Sequence, residues 1–148
     1  MSRMPLLAAL WAGLVALAAC APAATPTRAS QIQDIIWQWQ SVTNQTTRET
    51  TGVSNPEVYT IIFYADGTFG GQAGCNAISG TYSQQNGFSV VPGASTMAFC
   101  GEESLDQQYL TLLGEVVAGG PDGAGGLALE TPGGEQRMLF KNGGPATK

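Results

Sequence analysis

Polar and apolar positions alternate with a period of two over most of this chain after residue 34, and the period lengthens only once. In Ile35-Ile36-Trp37-Gln38-Trp39-Gln40-Ser41-Val42, Trp37 and Trp39 share one face and Gln38 and Gln40 the other, as a half-buried strand requires. Thr43 to Pro56 is polar and predicts a long loop. Val58-Tyr59-Thr60-Ile61-Ile62-Phe63-Tyr64 is dense in β-branched and aromatic residues and is the strongest strand. Asp66-Gly67 turns it into a glycine-rich return strand, Thr68 to Gly74, whose glycines imply a bulge, a bend or close backbone approach. Ser79-Gly80-Thr81-Tyr82 and Gly87-Phe88-Ser89-Val90-Val91 form the next pair, around Asn86-Gly87. A short strand is expected through Thr96-Met97-Ala98-Phe99 into Cys100.

Leu105, Tyr109, Leu112, Leu113 and Val116 then recur at helical spacing. Glu102, Glu103 and Asp106 stand near the start of that helix, where its dipole favours negative charge. Ser104-x-x-Gln107 fits a capping box, and Gly119-Gly120-Pro121 is the expected stop. Two last strands, through Leu127 and Leu129 and through Met138 and Phe140, flank Pro132-Gly133-Gly134. This order predicts a mostly β fold: a small antiparallel β-barrel of about seven or eight strands with one α-helix before the last hairpin. A two-sheet sandwich is the alternative. Trp37, Trp39, Phe63, Phe69, Phe88, Tyr109 and Phe140 are the expected core.

The N-terminal pattern is different. Arg3 precedes an apolar run from Pro5 to Leu17, which stops at Leu17-Ala18-Ala19-Cys20. That tetrapeptide resembles a lipobox, the cleavage and acylation signal of bacterial lipoproteins, so residues 1–19 read as a lipoprotein signal peptide and Cys20 as the lipidation site. A plain secretory signal and an uncleaved membrane anchor are the other readings. Pro22, Thr25, Pro26 and Thr27 suit a tether better than a span, and residues 20–33 are expected to be a lipid-anchored linker. The folded domain is expected over 34–142, with 143–148 a disordered tail. Ala21 supplies no retention signal of the Asp type, so either membrane of an envelope is open to the anchor.

Composition narrows the function. Without residues 1–19 the chain keeps five basic residues, Arg28, Arg48, Arg137, Lys141 and Lys148, against 11 acidic ones, a net charge of −6. The basic residues are scattered, so no nucleic-acid partner is expected. There is no histidine, which removes Ser-His-Asp and Cys-His catalysis and histidine-bound zinc. Cys75 and Cys100 are an even pair in an exported chain and read as a disulfide. A redox-active pair is the rival reading, without a Cys-x-x-Cys turn or a nearby base to support it.

Phe63 to Asn76, ending in Gly74-Cys75-Asn76, resembles the signature of the META/HslJ-like domain. Gly80-Thr81-Tyr82 is similar to that family's Gly-x-Tyr step and Thr96-Met97-Ala98-Phe99-Cys100 to its Thr-Met-x-x-Cys segment. The helix and the Leu-x-Leu and Met-x-Phe strands follow in the family's order, over about residues 34–142. Gly101 stands where the family often has proline. The resemblance implies a β-barrel-like fold, a bacterial envelope location, often a lipoprotein signal, and proximity of Cys75 to Cys100. It links the chain loosely to heat-shock and envelope stress, antibiotic tolerance, motility or virulence, and carries over no catalytic residue.

Asp66 and Gly67 are expected to serve the turn. Asn76, after Gly74, is expected either to take an unusual backbone angle or to satisfy buried backbone groups, with ligand contact the rival. Glu102, Glu103 and Asp106 lack a calcium-loop pattern, and no metal or cofactor is expected. Gly119 to Gly126 reads as a flexible connection. The expected function is that of a non-enzymatic, monomeric cell-envelope lipoprotein on the extracytoplasmic side, held through lipid on Cys20 and acting on an unidentified envelope protein. An inhibitor of an envelope-attacking hydrolase and a lipocalin-like carrier of a small apolar ligand are the alternatives.

Overall fold

The computed structural model describes residues 31–147; Cys20 and the signal and most of the linker expected around it lie outside them. Nine strands and one helix follow in the order β1 Ile35–Asn44, β2 Thr50–Gly52, β3 Tyr59–Phe63, β4 Thr68–Ala73, β5 Asn76–Ser83, β6 Ser89–Ser95, α1 Asp106–Gly114, β7 Ala118–Pro121, β8 Leu127–Glu130 and β9 Gln136–Pro145. Eight of the strands form one antiparallel path, β6-β5-β4-β3-β1-β9-β8-β7, and β2 pairs with β1 beside it. The sheet curls into a half-barrel. One continuous path displaces the two-sheet alternative. At one corner the edges meet, where Phe88 N–H donates to Val117 O at 3.1 Å.

The concave side is filled by aromatic rings. All seven residues expected in the core are at most 4 % exposed. Trp39 stacks on Tyr109 with centroids 5.1 Å apart, and Tyr59 meets both rings edge-on. Helix α1 packs against β4 and β6 and buries Tyr109, Leu112 and Leu113.

Several local expectations change. In β1, Trp37, Trp39 and Val42 are buried rather than strictly alternate residues, because the register with β9 shifts between Trp39 and Ser41 and re-phases the strand. The polar stretch after Val42 is not all loop. Thr43 pairs with Thr50, backbone and side chain, and Asn44 closes the hairpin by accepting from Thr46 N–H and Thr47 N–H, each at 2.9 Å. Gly119-Gly120-Pro121 belongs to β7, so three strands follow the helix. A Cβ on Gly119 would lie 2.5 Å from the Leu129 side chain, so the missing side chain is what lets β7 lie against β8. Thr96 to Phe99 is not a strand.

The expected linker is folded at its end. Ile32 is fully buried, the Trp37 indole donates to its carbonyl at 2.8 Å, and Asp34 N–H donates to Phe63 O. At the other terminus β9 runs to Pro145 and Ala146 N–H donates to Asp34 O. Both extensions follow from pairing: the first residue of β1, Ile35, lies opposite Pro145.

Candidate functional site: a braced apolar loop

Cys75 follows β4 and Cys100 follows β6, and the two form a disulfide. Gly74 makes the turn into β5 with φ +64°, and a Cβ there would press on Ser104 Oγ at 3.0 Å and Cys100 Sγ at 3.4 Å. Glycine answers both constraints.

Asn76, the first residue of β5, is 3 % exposed, and its backbone φ is not positive. Its side chain does the work of a missing strand. Oδ1 accepts from Ala98 N–H at 2.8 Å while Nδ2 donates to Ala98 O at 3.0 Å, so the amide pairs with Ala98 as a neighbouring peptide group would. Oδ1 also accepts from the Thr96 hydroxyl at 3.0 Å, and Nδ2 lies 3.2 Å from Cys100 Sγ and 3.4 Å from Asp106 Oδ2. Thr96 is tied again through Ala77, whose N–H donates to Thr96 Oγ1 and whose carbonyl accepts from Thr96 N–H. Of the two readings of Asn76, satisfaction of backbone groups is the one this geometry carries out.

The consequence is a fixed backbone with apolar side chains outside. Met97 is 93 % exposed and Phe99 84 %. A core strand would bury both. Here the Ala98 backbone is tied to Asn76 while the residue itself, like Met97 and Phe99 on either side, stays exposed. The segment Cys100 to Ser104 forms a ridge between two open clefts. One, of about 570 Å³, is lined by Asn76, Met97, Phe99, Asp106 and Leu110 among others. The other, of about 620 Å³, is lined by Tyr59, Gln72, Cys75, Glu102 and Glu103 among others.

The ridge ends in the helix. Leu105 N–H donates to Tyr59 Oη at 2.9 Å, and Asp106 N–H to Ser104 Oγ at 3.3 Å. No side chain caps α1 from its own N-cap position. A tyrosine from β3 and the Ser104 hydroxyl bond the backbone leading into the helix, in place of the expected capping box. The same Tyr59 ring meets Trp39 and Tyr109, so this one residue both bonds the ridge and packs in the core.

The remaining sites are structural. Asp66 accepts from Thr68 N–H at 2.9 Å and from the Thr68 hydroxyl at 2.6 Å, and Gly67 takes φ +84° beside it. Asp122 accepts from Ala124 N–H and Gly126 N–H at 2.7 and 2.8 Å. Those bonds hold its carboxyl below the usual range and order a turn where a flexible connection was expected. Glu102 and Glu103 are exposed neighbours on one loop. Among the described residues neither side chain is hydrogen-bonded. Among the described residues no group of three or more acidic or cysteine side chains is placed to hold a metal ion, and no helix is long and apolar enough to cross a membrane.

No curated protein matches the chain. Among solved structures, the NMR structure of a protein from Burkholderia xenovorans is similar with a TM-score of 0.57 and 18 % identity, over 86 % of this chain and 98 % of that one. The crystal structure of a DUF4847 family protein from Bacteroides vulgatus is similar with a TM-score of 0.57 and 16 % identity, over 74 % of this chain and 93 % of that one. At these identities the likeness is one of fold. A family model, the META domain, matches residues 30–143, from just before Ile32 through most of β9. The chain belongs to the META domain family.

Proposed function

We propose that this chain is a lipid-anchored envelope protein that works by holding another protein, with no chemistry of its own. The observation that carries the reading is the placement of Met97 and Phe99. Two large apolar side chains stand in solvent on a backbone fixed by a disulfide and by the Asn76 amide. Scattered exposed apolar residues are ordinary. Two in one braced loop, above a cleft, are what a contact surface needs, because little ordering entropy remains to be lost on binding. Lipid on Cys20 supplies the anchor, and residues between Cys20 and Ile32 supply the reach. A role in envelope stress or antibiotic tolerance fits such a protein through the family it belongs to.

The test has two parts. Cys20→Ala is expected to release the mature protein from membranes once the signal is removed; a variant that stays membrane-bound after cleavage contradicts the anchor. A photo-crosslinking residue at position 97 or 99 of the acylated chain is expected to capture one recurrent envelope protein in cells. The same probe at exposed Thr51 on β2 is the control. Capture no different from that control contradicts the contact surface.

A further inference from the structure

The charge around the braced loop is one-sided. Between Arg48 and Arg137 the chain has no lysine or arginine, while it has Glu49, Glu57, Asp66, Glu102, Glu103, Asp106, Glu115, Asp122, Glu130 and Glu135. Among the described residues the only ion pair is Arg137 with Glu130, at 3.2 Å. Among the described residues no cation pairs with Glu102 and Glu103, which line one cleft, or with Asp106, which lines the other. Met97 and Phe99 stand over the Asp106 cleft, and Glu102 lines both.

We infer that this loop and its rim form a docking site for a cationic protein segment, one that seats an apolar side chain between Met97, Phe99 and Leu110 and sets lysine or arginine against Glu102, Glu103 and Asp106. The inference rests on the protein-contact reading above and adds the chemistry of the partner. Two features set its form. Leu110 is half-buried on α1 at the floor of the cleft, so the apolar contact has a base as well as two exposed walls. Glu102 and Glu103 are exposed and steer encounter more than they add affinity, while Asp106 is half-buried beside Asn76 Nδ2 and marks the inner end of the acidic rim. The same acidity disfavours an anionic lipid surface, and it disfavours a second copy presenting this same face.

The experiment uses the full acylated chain in detergent micelles and a fluorescent twelve-residue peptide with a central Phe-Leu flanked by lysines. Two control peptides replace the lysines by glutamate or the Phe-Leu by Ser-Ser. The lysine–Phe-Leu peptide is expected to bind, and to weaken steadily as ionic strength rises towards roughly 0.15 M. Met97→Ser with Phe99→Ser, and separately Glu102→Gln with Glu103→Gln, are each expected to weaken it by about tenfold or more, whereas Glu49→Gln on the far hairpin leaves it unchanged. These positions are exposed, and unchanged near-ultraviolet circular dichroism checks that the variants fold.

Equal loss in all three variants means diffuse attraction to an acidic protein and overturns the site. Equal binding of the glutamate peptide, or of the serine peptide, overturns the stated chemistry. Sedimentation showing a dimer that Met97→Ser with Phe99→Ser abolishes assigns the face to a second copy instead. Flotation of the unacylated Cys20→Ala chain with phosphatidylcholine vesicles, lost in the same double variant, assigns it to lipid. Recurrent capture in cells at positions 97 and 99 without binding of the cationic peptide defeats this inference and leaves the protein-contact reading standing. Absence of capture defeats that reading itself.

Discussion

Tyr109 is fully buried, stacked on Trp39, and its hydroxyl has no hydrogen-bond partner among the described residues. An unmet buried hydroxyl costs about 1–3 kcal/mol. Tyr109→Phe keeps the ring and removes the cost, so it is expected to raise the melting temperature by roughly 4–8 °C for a domain of this size. Burial also raises the phenol well above its ordinary 10.0. The sign of the pH effect follows. Below about pH 10 both folded and unfolded tyrosine keep the proton, and the group adds no pH dependence. Above it the unfolded chain ionises first, so stability falls, by at most about 1.4 kcal/mol per pH unit, until the folded value is reached. Melting curves from pH 9 to 11 are expected to show this extra alkaline loss in the wild type and not in Tyr109→Phe. Parallel curves for the two proteins would mean that the hydroxyl finds a partner in solution.

The disulfide and the Asn76 amide hold the same loop by different means. The bond joins residues 25 apart, and closing a loop of that length stabilises by about 3.5 kcal/mol on the chain-entropy model. Cys75→Ser with Cys100→Ser is therefore expected to lower the melting temperature by roughly 15 °C. The Asn76–Ala98 pair does not need the sulfurs, so the Ala98 amide is expected to stay protected from hydrogen exchange in native conditions. Fast exchange at Ala98 would show that the amide alone cannot hold the backbone. Elements like this mark where the sequence stops being readable. Trp37, Trp39, Phe63 and Phe69 announced the half-barrel because a strand's period is written in its own residues. β7 was hidden because glycines have no side-chain pattern, and its ladder with β8 is a backbone matter. Met97 and Phe99 misled for a stronger reason. Their spacing is that of a buried strand face, but the segment lies wholly exposed, its Ala98 backbone tied to a side-chain amide 22 positions away. Pairing of Cys75 with Cys100 is legible from the even count and the expected export, and the ridge built on it is not.

At the scale of the molecule the half-barrel is one aromatic core under a surface whose charge is unbalanced. Arg137 and Lys141 stand on β9 and Arg48 beyond the end of β1, strands that pair with each other, so the lysines and arginines among the described residues lie on or beside one strand pair. The hairpins from β3 to β6 and the helix carry carboxylates alone. Self-repulsion of that kind destabilises a compact state and is screened by salt. The Arg137–Glu130 pair does little to offset it, since its side chains are 41 % and 34 % exposed and such pairs contribute about 0–1 kcal/mol. Stability is therefore expected to rise with sodium chloride from low ionic strength to roughly 0.15 M, where the screening length is near 8 Å. Glu102→Gln with Glu103→Gln is expected to raise the low-salt melting temperature and flatten its salt dependence, because the repulsion has been removed at its densest point. Melting measured across a salt series in both proteins decides the matter. A wild type that loses stability as salt is added would mean that attractive pairs outweigh repulsion, and that the acidic rim is balanced within the folded chain rather than left for a cationic partner.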